Sequence, residues 1–237
     1  PKVAQIRQSL ADLLRSRGQF EDSQALFEQA LAALGQEGAQ PNPQVAECLE
    51  GLAQLELEQG KYSESEGRLQ KALAIREALA ESHPAGVLGT HQQLARVYLA
   101  SRRPELAEKS LKRSLEVAQK VHGGDRPEVA NCLEQLGQLY LSQGRYVAAE
   151  ALFDRAQEIR ERVAGGIPVE RVTSMLGLGQ IYLAQNQLNQ AWQMADEARQ
   201  LLEAASPQPS VALTQAQWLM AEALRLQGRF KESEPLY

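Results

Sequence analysis

Three histidines, two cysteines and 30 carboxylates are the groups with which this chain could hold a metal, close a disulfide or run acid–base chemistry. Their spacing supports none of these. His83 and His122 fall near breaks in the helical pattern and His91 inside one, and no two show the HxxxH spacing of a helical metal site. Glutamates and aspartates are plentiful, yet none lies in an apolar run that would raise its carboxyl for proton transfer. Gly177-Leu178-Gly179 contains GxG but sits within a helical pattern with no preceding strand, so it is not a dinucleotide loop. No phosphate-binding GxxxxGKS or GxxxxGKT occurs, and serines beside glycine lack the strand–turn–helix setting of a nucleophile elbow. The chain reads as a binding protein and not an enzyme, with no cofactor and no metal.

The elements that position these groups follow from one period. Gly18, Gly60, Gly144 and Gly228 share a column when the 237 residues are stacked in rows of 42, and Arg102 and Asn186 complete it. A repeat of this length means stacked units, each burying its apolar face on the next. Each row holds two helical patterns. The first, helix A, carries Leu10, Leu52, Leu94, Leu136, Leu178 and Met220, each followed by a small residue: Ala11, Ala53, Ala95, Gly137, Gly179 and Ala221. Small side chains there admit a neighbouring helix, which accounts for glycines that cost about 1 kcal/mol within a helix. The second, helix B, carries Ser23, Phe27, Ala30 and Ala33, then Ser65, Leu69, Ala72 and Ile75, on one face.

The glycine column ends helix A in a left-handed residue, a conformation free of strain for glycine and tolerated by asparagine. Asn186 fits; Arg102 does not, so the third repeat is expected to turn its corner differently, with Pro104 in the first turn of the next helix. Pro1, Pro43 and Pro127 share a column, with Pro84, Pro168 and Pro209 close to it, and all are placed in loops between repeats. The expected repeats are 3–44, 45–86, 87–128, 129–170 and 171–212, with a partial sixth over 213–237. Terminal repeats usually carry polar caps. Neither end shows one, so residues 1–237 are read as a single array cut from a longer one.

Composition agrees. Hydrophobic residues make up 43% of the chain and aromatics only 5%, so the core is built of Leu and Ala, which suits close helix packing. A net charge of −5 disfavours nucleic acid or an anionic membrane as partner, and no apolar run approaches membrane-spanning length. Cys48 and Cys132 occupy one column two repeats apart, too far for a disulfide, and read as helix-packing residues of a reducing, cytoplasmic protein.

These columns resemble the tetratricopeptide repeat family: Leu136-Gly137, Tyr140, Gly144, Ala149 and Ala156 follow its order. The period, proline loops such as Ser82-His83-Pro84, and the string Ala72-Leu73-Ala74-Ile75-Arg76-Glu77 are similar to the kinesin light chain and nephrocystin type. The resemblance implies an all-α, right-handed α-solenoid of stacked helix-turn-helix units, five full and one partial. It also implies a concave groove of A helices that holds a peptide or partner segment. In the kinesin light chain type, helix A carries paired asparagines before the Leu-Ala. The second of each pair corresponds to Ser9, Gly51, Gln93, Gln135, Gly177 and Leu219, of which Gln93 and Gln135 keep an amide able to bond a peptide backbone.

Projection by the family's geometry puts Gln8, Asp12, Glu50, Gln54, Gln92, Gln93, Arg96, Glu134, Gln135, Gln138, Gln180 and Trp218 in that groove as candidate partner-binding residues. Acidic residues outnumber basic ones on that side, so a neutral or mixed-charge protein segment is favoured over a strongly acidic one. Trp218 is a candidate aromatic anchor. The column Leu57, Leu99, Leu141 and Leu183 reads as a flank of the packing seam, and the basic residues around Lys109, Lys112, Arg113 and Lys120 as a solvated face. The expected function is a protein-interaction scaffold or adaptor. The alternative is a regulatory arm of a larger enzyme, with a protease, ATPase or nuclease elsewhere in the chain.

Overall fold

The computed structural model describes residues 2–35, 41–163, 171–206 and 208–237; Pro1 and Pro168 lie outside them. The described residues form α-helices and no strand. They are α1 (Lys2–Ser16), α2 (Phe20–Gly35), α3 (Pro43–Glu58), α4 (Tyr62–Ala78), α5 (Pro84–Ala100) and α6 (Pro104–His122). These are followed by α7 (Pro127–Ser142), α8 (Tyr146–Val163), α9 (Val172–Ala184), α10 (Leu188–Ala205), α11 (Val211–Leu226) and α12 (Phe230–Ser233), with a closing 3-10 turn at Glu234–Leu236. Odd-numbered helices are the A helices and even-numbered ones the B helices.

Two compact units are present, Pro1–Val121 and His122–Tyr237. In the first, α1 pairs with α2 and α3 with α4, α2 packs on α3 and α4 on α5, and α1, α3 and α5 adjoin. In the second, α7 pairs with α8 and α9 with α10, α8 packs on α9 and α10 on α11, and α7, α9 and α11 adjoin. This is the stacking of an α-solenoid.

Pro209 lies between helices as expected, but three other prolines do not. Pro43, Pro84 and Pro127 are each the first residue of an A helix. That position has no intrahelical use for an N–H, and the fixed φ suits helix entry. Caps assist: the Asn42 side chain accepts a bond from the Gln44 amide at 2.9 Å, and Ser210 from Leu213 at 3.1 Å.

The third corner is also a correction. Arg102 adopts φ +58°, beside Asn186 at +61° and glycines between +71° and +77° at the other four A–B corners. Its amide bonds Leu99 O at 3.1 Å and the Arg103 amide bonds Tyr98 O at 2.7 Å, matching Gly144 to Leu141 O at 3.0 Å and Arg145 to Tyr140 O at 2.9 Å. Arg103 then stacks 4.9 Å over the Tyr98 ring, as Arg145 does over Tyr140 at 3.6 Å. The backbone bonds impose one corner geometry whatever the residue. Pro104 opens α6, as expected.

Leu52, Leu94, Leu136, Leu178 and Met220 are buried, with the small residues that follow them, whereas Leu10 of the same column is exposed because no A helix of the described residues precedes α1. The close approach those small residues permit is visible: a Cβ on Gly137 would lie 3.1 Å from the Phe153 ring, and one on Gly179 2.5 Å from a Leu219 methyl. The tightest seats join one repeat to the next. Phe27 of α2 fills the space where a Gly51 Cβ on α3 would be, and Phe153 of α8 comes within 2.5 Å of such an atom on Gly177 of α9. Both rings are fully buried. Where the B helix carries Ala195 instead, α11 carries Leu219, and the two share one apolar cluster. Serine adds a polar tie: Ser23 donates to Ala11 O at 2.8 Å and Ser65 to Ala53 O at 2.7 Å, each binding a B helix to its own A helix.

Gly51→Ala should destabilise the protein. Alanine gains about 1 kcal/mol of helix propensity, but overpacking against a buried ring costs about 1–3 kcal/mol. Adding Phe27→Leu should recover part of the loss, read as a non-additive pair in urea unfolding. Arg102→Gly should stabilise by about 1 kcal/mol by relieving a left-handed non-glycine residue, seen as a raised Tm.

Candidate functional site

Residues four apart on a helix share a face, and the 42-residue period sets equivalent faces side by side. In the first unit this gathers Gln8, Asp12 and Arg15 of α1, Glu47, Glu50, Gly51 and Gln54 of α3, and Gln93 and Arg96 of α5. With Gln5 and Ser9 they line a concavity of about 620 Å³. Six expected site residues meet there: Gln8, Asp12, Glu50, Gln54, Gln93 and Arg96. Gln92 is partly buried and is not in the lining.

A polar chain crosses this face. Arg15 donates to Glu58 at 2.6 Å, Gln54 donates to the same carboxylate oxygen at 2.9 Å, and Arg96 donates to Gln54 Oε1 at 3.0 Å. It links α1, α3 and α5. Below it, Arg76 of α4 holds Glu50 through Nε at 3.2 Å and a terminal nitrogen at 2.8 Å, and Thr90 of α5 donates to Glu50 at 2.5 Å. Gly86 makes room for this arginine, since a Cβ there would lie 2.6 Å from Arg76 Cδ. Glu50 is therefore neutralised within the wall. Asp12 and Glu47 remain about half exposed, with their closest cationic nitrogens at 3.9 and 4.0 Å.

The second unit treats its expected residues differently. Glu134 is 6% exposed and is held by Arg160 at 3.1 Å and Ser174 at 2.7 Å, while Arg160 also bonds Asn131 at 2.6 Å. Glu134 is thus a packing residue and does not present its carboxylate to the face. This triad repeats the Arg76–Glu50–Thr90 arrangement two periods on. Gln135 and Gln138 are exposed on α7, Gln180 is half-buried on α9, and Trp218 is 48% exposed on α11. Near Trp218, Glu222 accepts bonds from Arg225 at 2.8 and 2.5 Å and from the Tyr237 hydroxyl at 3.0 Å. The Arg225 contact holds the Glu222 carboxyl below its usual range.

Leu57, Leu141 and Leu183 are half-buried, as a seam flank should be, whereas Leu99 is 44% exposed. Trp192 packs against the second unit's core. Charges of the basic stretch are interleaved with acids: Lys112 pairs with Glu108 and Arg113 with Glu116, each at 2.7 Å. Cys48 and Cys132 are buried thiols outside any disulfide, and burial, with Glu47 and Asp12 adding, pushes the Cys48 thiol up to about 11. Such a thiol is inert. No described helix is long and apolar enough to cross a membrane.

His91 is the titratable group the sequence did not single out. Its column holds Leu49, Leu133 and Met175 in the inner repeats and Arg7 and Gln217 in the outer ones, and both ring nitrogens are buried without a hydrogen-bond partner among the described residues. Burial lowers its pKa, with Glu77 of α4 and Glu116 of α6 opposing and Arg113 of α6 reinforcing the shift. Below about pH 6.5 the unfolded chain takes up a proton that the folded protein resists. Stability therefore falls as the pH drops through that value and levels off below the folded pKa. His91→Leu should raise stability more at pH 5 than at pH 7.5, measured by urea unfolding at both.

Solved structures share this architecture. Crystalline BtubC (BKLC) from P. vanneervenii is 26% identical, covers 85% of this chain and 80% of its own, and superposes with a TM-score of 0.73. A Podosopora anserina protein assigned as a kinesin light chain with nearly identical TPR-like repeats is 21% identical over 86% of this chain and 96–97% of its own in two structures, with TM-scores of 0.72 and 0.73. NprR in complex with its cognate peptide NprX is 15% identical over 99% of this chain and 65% of its own, at a TM-score of 0.66. No curated protein matches the chain. The family model for the tetratricopeptide repeat matches residues 2–78 and 87–162, well over half of the sequence, and with the hairpins stacked as described the chain belongs to the tetratricopeptide repeat family.

Proposed function

We propose that this chain is a protein-interaction scaffold whose A-helix face in the first unit binds an extended peptide or partner segment. The observation that carries the reading is the polar concavity across α1, α3 and α5, where six residues from three repeats converge. Stacked repeats present such a face already formed, so little ordering is needed on binding. NprR, of the same fold, was solved with a peptide, which supports the reading by fold alone. A neutral or mixed-charge partner fits the lining, and two buried cysteines outside any disulfide suit a reducing compartment such as the cytoplasm. The exposed Gln135, Gln138 and Trp218 and the half-buried Gln180 of the second unit's A helices are proposed as further contacts.

The test is capture from a cell lysate by the whole chain and by a Gln54→Ala/Arg96→Ala variant, with mass spectrometry of the bound proteins. These side chains are near the surface, so the variant should keep its circular dichroism spectrum and Tm within about 2 °C. A partner retained by the parent and reduced at least ten-fold by the variant is the expected result. A partner retained equally by both moves the site off this face.

A further inference from the structure

Resting on that reading, we propose that the first unit's concavity recognises a mixed-charge segment of a partner protein, seating a lysine or arginine side chain between Asp12 and Glu47 and a carboxylate against Arg96. The charges inside the concavity divide into spent and unspent. Glu50 is satisfied by Arg76 and Thr90, and Glu58 by Arg15 and Gln54. Asp12 and Glu47 are not: each has its closest cationic nitrogen at the limit of an ion pair, and their side chains are 56% and 49% exposed. Asp12 of α1 and Glu47 of α3 both line the concavity. On the other side, Arg96 is exposed, and its bond is to the neutral amide oxygen of Gln54.

Two glutamines supply the independent sign of a ligand. Gln93 Oε1 is buried in the lining and has no hydrogen-bond partner among the described residues. A buried acceptor in that state calls for a donor, and the backbone N–H of an extended chain provides one. Gln8 also lines the concavity, is nine-tenths buried, and makes no hydrogen bond through its side chain to a described residue. The face therefore asks for a cation on its α1–α3 side and an anion at α5, with an amide on each outer helix to bond the chain between them.

Helix spacing sets the distance between the two charges. Packed helices lie about 8–10 Å apart, and the step from the α1–α3 boundary to α5 is about one and a half spacings, roughly 12–15 Å. An extended chain rises about 3.3 Å per residue with alternate side chains on one face. The matching segment carries its cation and anion about four residues apart, both turned to the protein.

Four fluorescein-labelled peptides test this against the whole chain by fluorescence anisotropy at low salt: Ser-Lys-Thr-Val-Thr-Glu-Ser and its Lys/Lys, Glu/Glu and Gln/Gln counterparts. The mixed peptide should bind at least ten-fold tighter than the Glu/Glu and Gln/Gln peptides. Asp12→Asn with Glu47→Gln should abolish its preference over the Glu/Glu peptide, and Arg96→Glu should transfer the tightest binding to the Lys/Lys peptide, a gain that misfolding cannot imitate. Equal binding of all four peptides, weakened by Gln54→Ala/Arg96→Ala, would overturn the charge assignment and leave the groove reading standing. No binding by any peptide at millimolar concentration would also overturn it, with the groove reading then decided by lysate capture.

Discussion

Stacking in each unit depends on the fit of a B-helix side chain against the next A helix. Helices can approach only as closely as their facing side chains permit, and here volume is traded across the contact. Phe27 and Phe153 each require a glycine opposite, while Ala195 is met by Leu219. A repeat array lacks distant contacts that could compensate for a poor fit, because each repeat meets only its neighbours. The fit at one junction therefore decides how the next A helix is presented, and with it which side chains share the concave face.

Buried charge adds specificity to that fit. Arg76–Glu50–Thr90 and Arg160–Glu134–Ser174 each join a B helix to its own A helix and to the A helix of the next repeat. Removing one member of such a pair costs about 3–5 kcal/mol, because the other is left buried and uncompensated. Misregistered stacking would do the same. The equivalent positions of the first repeat, Leu34, Gln8 and Cys48, carry no charge, so the first unit contains one uncharged and one ionic junction. This arrangement also separates Glu50 and Glu134, which belong to the junctions, from Asp12 and Glu47, which stay about half exposed.

Much of this was legible in the residues alone. The period, the two helices per repeat, the buried Leu column with its small neighbour and the left-handed corner at Asn186 all follow from local rules acting on consecutive residues. Six of the candidate groove residues could be found together because a 42-residue offset and a four-residue step are both visible in the sequence. Arg102 was misread because a left-handed arginine is disfavoured locally, yet paired backbone bonds to Tyr98 and Leu99 hold the same corner.

What only the tertiary structure decided is which polar groups are already satisfied. Glu134 and Gln135 are neighbours in sequence, and nothing local shows that one meets an arginine 26 residues away while the other faces outward. Gly51 stands in a column that also holds Gln93, and its absent side chain is explained only by a phenylalanine from the preceding helix. His91 shares its column with Leu49 and Leu133 but also with Arg7 and Gln217, and only the packed structure shows that its ring nitrogens are buried. Periodicity assigns a residue to a face from its own helix, and so determined the elements and their order. Burial and pairing depend on side chains supplied by the next helix, and those partners exist only once the repeats have stacked.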